Sequence, residues 1–357
     1  MRVLIAGGGT GGHVIPALAI ARKLRDEHAA EVRFVGTARG QETRLVPEAG
    51  FDLELIHVGQ LKGVSLMTRL RTLANLPLGV QRCIGLLRDF KPDVVIGVGG
   101  YASGPAMMAA VLLRVPTLAF EPNAVPGLAN RLIGKWVSAA AVNFPPSCNY
   151  FRNAIVTGIP VRAEFFSLEP KPEGAPLHLL VFGGSQGAHV LNEAMPKIIC
   201  ALLSAFPELT VLHQAGASQA EQTRQAYIES GADAGRWRVA SFLDDMPQRF
   251  AEADLILCRS GASTVAELAA AGKPSLLVPF PHAADDHQRK NADVLVQAGA
   301  ARLLVQAELT PETLLRELTA LLADRARLRQ TGECARRLAH PDAVRTIAEM
   351  VRGMIGS

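Results

Sequence analysis

The sequence lacks the features that define several classes of protein. Its five cysteines are an odd number, widely scattered and without a CxxC pair, which argues against a disulfide framework or a zinc site and fits a reducing compartment. No apolar run reaches ~18 residues, so no segment is predicted to span a bilayer. The N-terminus meets glycines after Ala6, which leaves no room for the apolar core of a signal peptide. We therefore expect an intracellular protein whose membrane contact, if any, is peripheral.

A strong charge of either sign is also missing. Lys and Arg number 37 and Asp and Glu 33, giving a net charge of +4. So small an excess does not favour a nucleic-acid-binding protein, in which a strongly basic face is expected. Hydrophobic residues make up 49% and charged residues 20%, which excludes a disordered chain. At ~150 residues per domain, the 357 residues predict two domains.

Short apolar runs alternate with amphipathic stretches along the chain, which indicates βαβ units and a mostly parallel sheet. The alternation restarts after residue 176. The predicted strands are Val3–Ala6, Val32–Val35, Asp93–Val98 and Pro116–Phe120 in the first half, and Leu177–Phe182, Thr210–His213, Arg238–Val239, Leu255–Leu257 and Ser275–Val278 in the second. We predict an α/β protein with two doubly wound domains, residues 1–162 and 163–340, and a C-terminal helix within 341–357 that completes the first domain.

Turns of small residues follow four of the predicted strands, two in each half. They are Gly7–Gly12, Gly99–Pro105, Gly183–Gly187 and Arg259–Thr264. Ligands of open parallel sheets bind beyond the carboxyl ends of the strands, so matched turns in both halves indicate a ligand cleft between the domains. The first turn fits GxGxxG, but the second strand ends Val35-Gly36-Thr37 without the acid that a dinucleotide ribose needs. An NAD enzyme is therefore disfavoured, and no P-loop motif occurs.

A few polar residues near these turns are candidates for chemistry. Ser263 and Thr264 lie at a predicted helix start, where hydroxyls and free N–H groups suit a phosphate. Glu267, one turn further on, suits a ribose diol or is a solvated carboxylate stabilised by the helix dipole. These three residues suggest a nucleotide in the second half. His13, at the base of the first helix, is either a general base or a packed, capping histidine.

A polar cluster follows the strand predicted at Ser275–Val278. It consists of His282, Asp285, Asp286 and His287, with Gln288 and Asn291 beyond. The side chains are adjacent in sequence and not spaced to converge on one ion, so binding of sugar hydroxyls is favoured over binding of a metal. We predict neither a metal nor a cofactor.

Six segments together resemble the MurG family of bacterial peptidoglycan N-acetylglucosaminyltransferases. They are GGGTGGHVIPALA, GVGGYASGPAMMAA, FEPNAVPGLANR, VFGGSQGAHVLN, SFLDDM and CRSGASTVAELAAAGKPSLLVPFPHAADDHQRKNA. The resemblance covers nearly the whole chain and implies a GT-B fold, in which two Rossmann-like domains face each other across a cleft. It also implies inverting transfer of GlcNAc from UDP-GlcNAc to the C4 hydroxyl of MurNAc in undecaprenyl-pyrophosphoryl-MurNAc-pentapeptide (lipid I), which gives lipid II.

The resemblance further implies a donor site. Its residues would be Thr10, Gly11, Gly12, Asn123, Arg162, Ser185, Leu243, Gln288 and the run Ala262, Ser263, Thr264, Val265, Ala266 and Glu267. Leu243 would address uracil through its backbone, and Glu267 the ribose. Ser263 and Thr264 would contact the α-phosphate, and Gln288 the GlcNAc hydroxyls.

For the acceptor, the resemblance implies that His13 is the base and that the turns of the first half hold the pyrophosphate. The residues implied there are Gly100, Tyr101, Ser103 and Glu121. Two departures from the family pattern bear on the site. Pro122 replaces the usual glutamine between Glu121 and Asn123, which removes a donor side chain and a backbone N–H. The loop Pro281–His287 is one residue longer than the commoner form.

Residues 61–91 combine cations with apolar side chains. Six cations stand against one acid, a local charge of +5. The cations are Lys62, Arg69, Arg71, Arg82, Arg88 and Lys91, and the apolar residues among them include Leu66, Met67, Leu70, Leu73, Leu76, Leu78, Val80, Ile84, Leu86 and Leu87. This pattern suits docking onto an anionic membrane surface, although an amphipathic helix pair with a solvated face has the same pattern. A polyprenyl-linked acceptor favours the membrane, at the cytoplasmic face of the inner membrane, with other cell-wall synthesis proteins as further partners.

Two other functions fit the same residues. One is a different GT-B activity, such as a related transferase or a UDP-sugar epimerase. The other is a nucleotide-sugar-binding scaffold of the cell-wall machinery that does not turn its ligand over.

Overall fold

The computed structural model of the chain describes residues 1–57, 66–169, 171–172 and 174–355, and residues 66–75 by their backbone alone. Lys62 lies outside this description, as do the side chains of Arg69 and Arg71. The chain divides into two compact units, one formed by residues 1–160 with 342–357 and the other by 161–341.

The first unit is built on a seven-stranded parallel sheet. Its strands are β1 (Arg2–Ala6), β2 (Glu31–Gly36), β3 (Asp52–Leu55), β4 (Val94–Gly97), β5 (Thr117–Glu121), β6 (Ala139–Val142) and β7 (Ala154–Val156). Its helices are α1 (Gly11–His28), α2 (Glu42–Glu48), α3 (Leu66–Phe90), α4 (Ser103–Leu112) and α5 (Leu128–Ile133). The strands lie in the order β3-β2-β1-β4-β5-β6-β7. Central strands such as β4 are buried along their whole length, because helices cover both faces of a doubly wound sheet.

The second unit repeats this architecture with six parallel strands. They are β8 (His178–Phe182), β9 (Thr210–Gln214), β10 (Trp237–Ala240), β11 (Leu255–Cys258), β12 (Ser275–Leu277) and β13 (Arg302–Leu303), in the order β10-β9-β8-β11-β12-β13. The helices are α6 (His189–Ala205), α7 (Ala220–Glu229), α8 (Met246–Glu252), α9 (Ala262–Ala271), α10 (His287–Gln297), α11 (Pro311–Leu322) and α12 (Arg325–Arg336). Its core is formed by aliphatic side chains of β8, β9 and β11 packed against α6 and α11.

The last helix, α13 (Ala343–Gly353), packs against α1 of the first unit and buries Ile347 and Val351 there. All nine strands predicted from the sequence are present. Strands β3, β6, β7 and β13 were not predicted; β7 and β13 are only three and two residues long, too short for a hydrophobic pattern to identify. Among the helices of the described residues, none combines the length and the apolar character needed to cross a bilayer.

Candidate active site

The four predicted turns lie where the strand order of each sheet reverses. In the first sheet the order reverses between β1 and β4, and in the second between β8 and β11. Gly7–Gly12 follows β1 and Gly99–Pro105 follows β4, while Gly183–Gly187 follows β8 and Arg259–Thr264 follows β11. Open parallel sheets bind ligands at such switch points, in the crevice outside the carboxyl ends of the strands. Each unit therefore has two small-residue turns at the position where a ligand crevice is expected.

In the first unit the two turns pack backbone against backbone. The Gly8 N–H donates to the Gly99 carbonyl at 3.3 Å. A Cβ atom at Gly7 would overlap that carbonyl, and one at Gly100 would lie 2.5 Å from the Gly8 oxygen. Gly100 also has a φ of +82°, which a residue with a side chain rarely adopts. Gly100 thus shapes the crevice by allowing this close approach.

His13 stands at the edge of this crevice, in the first turn of α1. Its Nδ1 is 3.4 Å from Oγ1 of Thr10, the N-cap residue of the helix. Its ring packs against the β4 turn, since a Cβ built on Gly99 would lie 3.1 Å from His13 Nε2. The N–H groups of Gly11 and Gly12 make no hydrogen bond to any described residue. A histidine and a free helix N-terminus, which favours anions, therefore lie together.

The β4 turn contributes one accessible residue and one inaccessible one. Tyr101 is 39% exposed and lies directly after the glycines. Ser103 was expected among the acceptor-binding residues, but it is fully buried at the start of α4. Its hydroxyl is turned towards β4, because a Cβ at Gly97 would lie 2.8 Å from Ser103 Oγ. Ser103 is therefore not exposed at the turn, and its Oγ makes no hydrogen bond within the described ranges.

Glu121 also departs from expectation. It is 2% exposed at the end of β5, and its carboxylate accepts from the N–H groups of Asn123 (2.9 Å) and Gly127 (3.1 Å) and from Nδ2 of Asn130 (3.0 Å). Burial raises the pKa of Glu121, and these hydrogen bonds oppose the shift. The carboxylate is thus used inside the loop, where it positions half-buried Asn123.

In the second unit the N-terminus of α9 forms the centre of the crevice. Gly261 is the N-cap residue, so Ala262, Ser263 and Thr264 occupy the first three helical positions. No described residue accepts a hydrogen bond from their backbone N–H groups. Ser263 Oγ is buried and makes no hydrogen bond within the described ranges. A buried hydroxyl without a partner beside free N–H groups is suited to an anionic ligand.

Glu267 follows one turn later on α9 and is half-buried. Burial raises its pKa to about 7, and the nearby Arg162 guanidinium acts in the opposite direction. Arg162 is exposed and lies over the ring of Phe165, with 5.1 Å between the guanidinium carbon and the ring centroid. The structure thus brings Arg162 and Glu267 together, although 105 residues separate them in the sequence.

Gln288 is fixed to the same turn from the side of α10. Its Oε1 accepts from the Phe280 N–H at 2.9 Å, and its backbone carbonyl accepts from Ser260 Oγ at 2.8 Å. Asn291 Nδ2 donates to the Ser260 carbonyl at 3.3 Å. Ser260 and Asn291, both fully buried, therefore hold the starts of α9 and α10 in register. This positioning role is not apparent from the sequence, in which the polar spacing Gln288-x-x-Asn291 is the available signal.

The turn after β8 carries Ser185, which is exposed. A Cβ on Gly187 would overlap the Ala215 carbonyl, which also accepts from Asn192 Nδ2 at 2.9 Å. Leu243 is half-buried in the segment that follows β10, at the same carboxyl edge of the sheet. The predicted donor-binding residues of the second unit thus share one edge of one sheet.

The described part of the chain contains no group of three His, Cys, Asp or Glu side chains able to hold a metal ion. Asp285 and Asp286, in the predicted polar cluster, have left-handed backbones, both with φ of +55°. His287 Nδ1 lies 2.7 Å from the Ala284 carbonyl, so His287 is bonded within its own loop.

Comparison with known proteins identifies the family of the chain. The family model of the Glycosyltransferase family 28 N-terminal domain matches residues 3–142, and that of the Glycosyltransferase family 28 C-terminal domain matches residues 178–347. The chain belongs to glycosyltransferase family 28. The resemblance inferred from the six segments is therefore confirmed, as is the prediction of a GT-B fold made of two parallel-sheet Rossmann-like domains.

Individual family 28 relatives match along nearly their whole length. A protein of Solibacter usitatus (strain Ellin6076) is 46% identical over 98% of this chain and 94% of its own, and one of Syntrophotalea carbinolica is 43% identical over 100% and 99%. Both are named UDP-N-acetylglucosamine--N-acetylmuramyl-(pentapeptide) pyrophosphoryl-undecaprenol N-acetylglucosamine transferase. The crystal structure of Acinetobacter baumannii MurG superposes with a TM-score of 0.81 at 33% identity, covering 99% of both chains.

Proposed function

We propose that this chain transfers GlcNAc from UDP-GlcNAc to the MurNAc C4 hydroxyl of lipid I, with inversion at the sugar C1 and release of UDP. The family 28 relatives carry the name of this transferase. The observation that carries the proposal is the pair of crevices in one chain. One offers a free helix N-terminus beside a carboxylate, and the other a free helix N-terminus beside a histidine.

The second unit supplies the donor site in this proposal. The N–H groups at the start of α9, with Ser263 and Thr264, hold the α-phosphate, because the helix N-terminus attracts anions and the Ser263 hydroxyl otherwise lacks a partner. Glu267 accepts hydrogen bonds from the ribose hydroxyls. Leu243 addresses uracil through its backbone, and Gln288 binds the GlcNAc hydroxyls through its amide nitrogen. Ser185 and residues Ala262, Val265 and Ala266 complete this site.

The first unit supplies the acceptor site. His13 takes the proton of the C4 hydroxyl as that oxygen attacks C1, and the free N–H groups of Gly11 and Gly12 bind an anionic phosphate. Departure of UDP places negative charge on its β-phosphate. The N-terminus of α9 and the Arg162 guanidinium stabilise that charge in the transition state. Gly100 and Tyr101 border the acceptor.

We further propose that the first unit docks on an anionic membrane surface at the cytoplasmic face of the inner membrane. Helix α3 packs against α4, and α4 against α5. Large apolar side chains are exposed on or just after these helices: Leu78 (63%), Leu112 (62%), Leu132 (58%) and Trp136 (61%). Exposed cations accompany them, namely Arg82, Arg88, Lys91, Arg114 and Lys135. Apolar contact flanked by cations suits phospholipid headgroups, and it extends the predicted 61–91 patch onto α4 and α5.

Incubation of the purified chain with UDP-GlcNAc and a short-chain lipid I analogue tests the activity. Formation of the GlcNAc–MurNAc disaccharide, with release of UDP, is the expected result. Free UDP-ManNAc without disaccharide would instead indicate an epimerase, and donor bound but unchanged a scaffold. The assay therefore measures both products.

A further inference from the structure

The glycine turn after β1 contains a buried carboxylate from a distant part of the chain. Glu42, the first residue of α2, is 1% exposed. Its Oε2 accepts from the Gly9 N–H at 2.7 Å, and its Oε1 accepts from the N–H and the hydroxyl of Thr37, both at 3.0 Å. All three partners are donors, as an acceptor-only carboxylate requires. No ion pair within the described residues reaches Glu42.

Glycines surround this carboxylate closely. A Cβ on Gly36 would lie 2.6 Å from Glu42 Cγ, and Cβ atoms on Gly8 or Gly40 would overlap the carboxylate itself. The turns after β1 and β2 therefore form a cradle whose shape fits this one side chain. A second connection runs alongside it, because the Gln41 N–H donates to the Gly9 carbonyl at 3.1 Å.

This contact lies directly before the start of α1. Gly9 directly precedes Thr10, the N-cap residue, and His13 lies one turn further on. With the Gly9 N–H already bonded to Glu42, the N–H groups still free for an anion are those at the helix start, including Gly11 and Gly12. A carboxylate beneath Gly8 and Gly9 also repels an anion from that side of the turn. The acceptor pyrophosphate is thereby directed towards the N-terminus of α1.

We propose that Glu42 is a positioning residue for the acceptor site: its carboxylate fixes the first glycine turn so that the start of α1 and His13 face the pyrophosphate and the MurNAc hydroxyl. This inference rests on the proposed function. Glu42 acts through Gly9 and the helix start, and it does not itself contact substrate.

The test compares Glu42→Gln with Glu48→Gln, a control on the same helix whose side chain is exposed. Glutamine keeps the shape but turns an NH2 group towards either Gly9 or Thr37, where two donors then face each other. We expect kcat/KM for a short-chain prenyl-pyrophosphoryl-MurNAc-pentapeptide to fall about 10- to 100-fold, the scale of loss that a small misplacement causes. The KM for UDP-GlcNAc should stay within about twofold of the wild-type value, because the donor phosphate site lies on the other unit.

Gly40→Ala perturbs the same contact while retaining the charge. Its new methyl group would displace the Glu42 carboxylate, and Gly40 has no positive φ that would add backbone strain. We expect the same kinetic pattern as for Glu42→Gln. The double variant should lose little more than the worse single variant, since both remove one interaction. If Glu42→Gln reduces the fraction of folded protein, the Gly40→Ala variant serves as the test.

Binding of the same acceptor analogue, measured by calorimetry, separates this inference from the proposed function. If the wild type binds the analogue without transferring GlcNAc, the proposed function fails, and weaker binding by Glu42→Gln still supports the role of Glu42. If Glu42→Gln matches Glu48→Gln in acceptor binding and kcat/KM, the inference is overturned. Three other results would also overturn it. One is a rise in the KM for UDP-GlcNAc as large as the loss in kcat/KM for the acceptor. The others are additive losses in the double variant and a wild type that does not bind the analogue.

Discussion

The buried histidine of β9 should make the second unit less stable in mild acid. His213 is 1% exposed; its Nε2 is 3.0 Å from Asn192 Oδ1 and its Nδ1 is 3.0 Å from the Tyr227 hydroxyl. Because an amide oxygen only accepts, Nε2 carries the proton and Nδ1 accepts from Tyr227. Burial lowers the pKa of His213 from 6.5 to about 3, since a charged ring in this site would lose its solvation.

The direction and size of this change in the free energy of unfolding follow from the different proton binding of the native and unfolded chain. Between pH 6.5 and about 3, the unfolded chain binds a proton at His213 that the native chain does not, so stability falls as the pH falls. One pKa unit corresponds to about 1.4 kcal/mol, and acidification from about pH 7.5 to about pH 4.5 should remove roughly 2–3 kcal/mol through this residue. Glu267 changes the stability in the opposite direction, because its pKa is raised from 4.5 to about 7. As the pH falls, the native chain therefore binds a proton at Glu267 before the unfolded chain does.

Urea unfolding of wild type and His213→Gln at several pH values isolates the histidine, because the Glu267 contribution is common to both proteins. Trp237 stacks near Tyr227, with 4.9 Å between ring centroids, and its fluorescence reports on the second unit. A background Trp136→Phe substitution removes the exposed tryptophan of the first unit. The free energy of unfolding should fall with acidification by about 2–3 kcal/mol more in the wild type than in the variant. Equal pH slopes for the two proteins would refute the assignment of a buried neutral His213.

Three further predictions concern the proposed activity. His13→Ala should lower kcat by ~10²–10⁴ with little change in UDP affinity, as expected for loss of a general base, and steady-state kinetics with calorimetry of UDP would measure both. Glu267→Gln should raise the KM for UDP-GlcNAc by about 10- to 100-fold, the scale of a hydrogen bond to a charged group, as measured in donor titrations. Combined charge reversal of Arg69, Arg71 and Arg82 should reduce binding to anionic vesicles in a flotation assay, because the patch then repels the surface.

Each of these predictions has a control or a result that would contradict it. Near-normal turnover by His13→Ala would remove that residue from the mechanism. The ribose role of Glu267 requires that wild type, but not Glu267→Gln, discriminate against a 2′-deoxyuridine donor. Reversal of three exposed arginines of the second unit, Arg316, Arg327 and Arg329, changes the net charge equally and should leave vesicle binding intact. If both sets of reversals have the same effect, the membrane contact does not lie at the proposed patch.

Much of the architecture could be predicted because it follows from local patterns in the sequence. Apolar runs such as Val3–Ala6 and Leu255–Leu257 indicate buried parallel strands wherever they occur, and the small residues after them indicate tight turns. The match between the two halves also predicted two similar doubly wound sheets. The strand order could not be predicted from these patterns, because it depends on which strands pair across long crossovers. The points at which the order reverses, where the four turns lie in pairs, could not be predicted for the same reason.

The candidate site was less predictable where a side chain's direction mattered. Ser103 begins the helix after β4 and Glu121 ends β5, which are positions typical of ligand-binding residues, yet both side chains are buried. The sequence does not distinguish a polar group at a strand end that faces solvent from one that holds its own loop. Glu42 lies 33 residues from the glycine whose N–H it binds, and no local sequence pattern indicates that contact.

Composition, spacing and motifs were enough to establish two α/β domains, the four turns and the resemblance to a family of sugar transferases, because each is a property of short segments. Which polar groups remain free for a ligand was settled only by packing. Burial satisfies Glu42, Glu121 and His213 inside the protein and leaves the helix starts at Gly11 and Ser263 without partners among the described residues. A hydrogen-bonding group becomes available for chemistry when the fold supplies no partner for it, and those partners come from residues far apart in the chain.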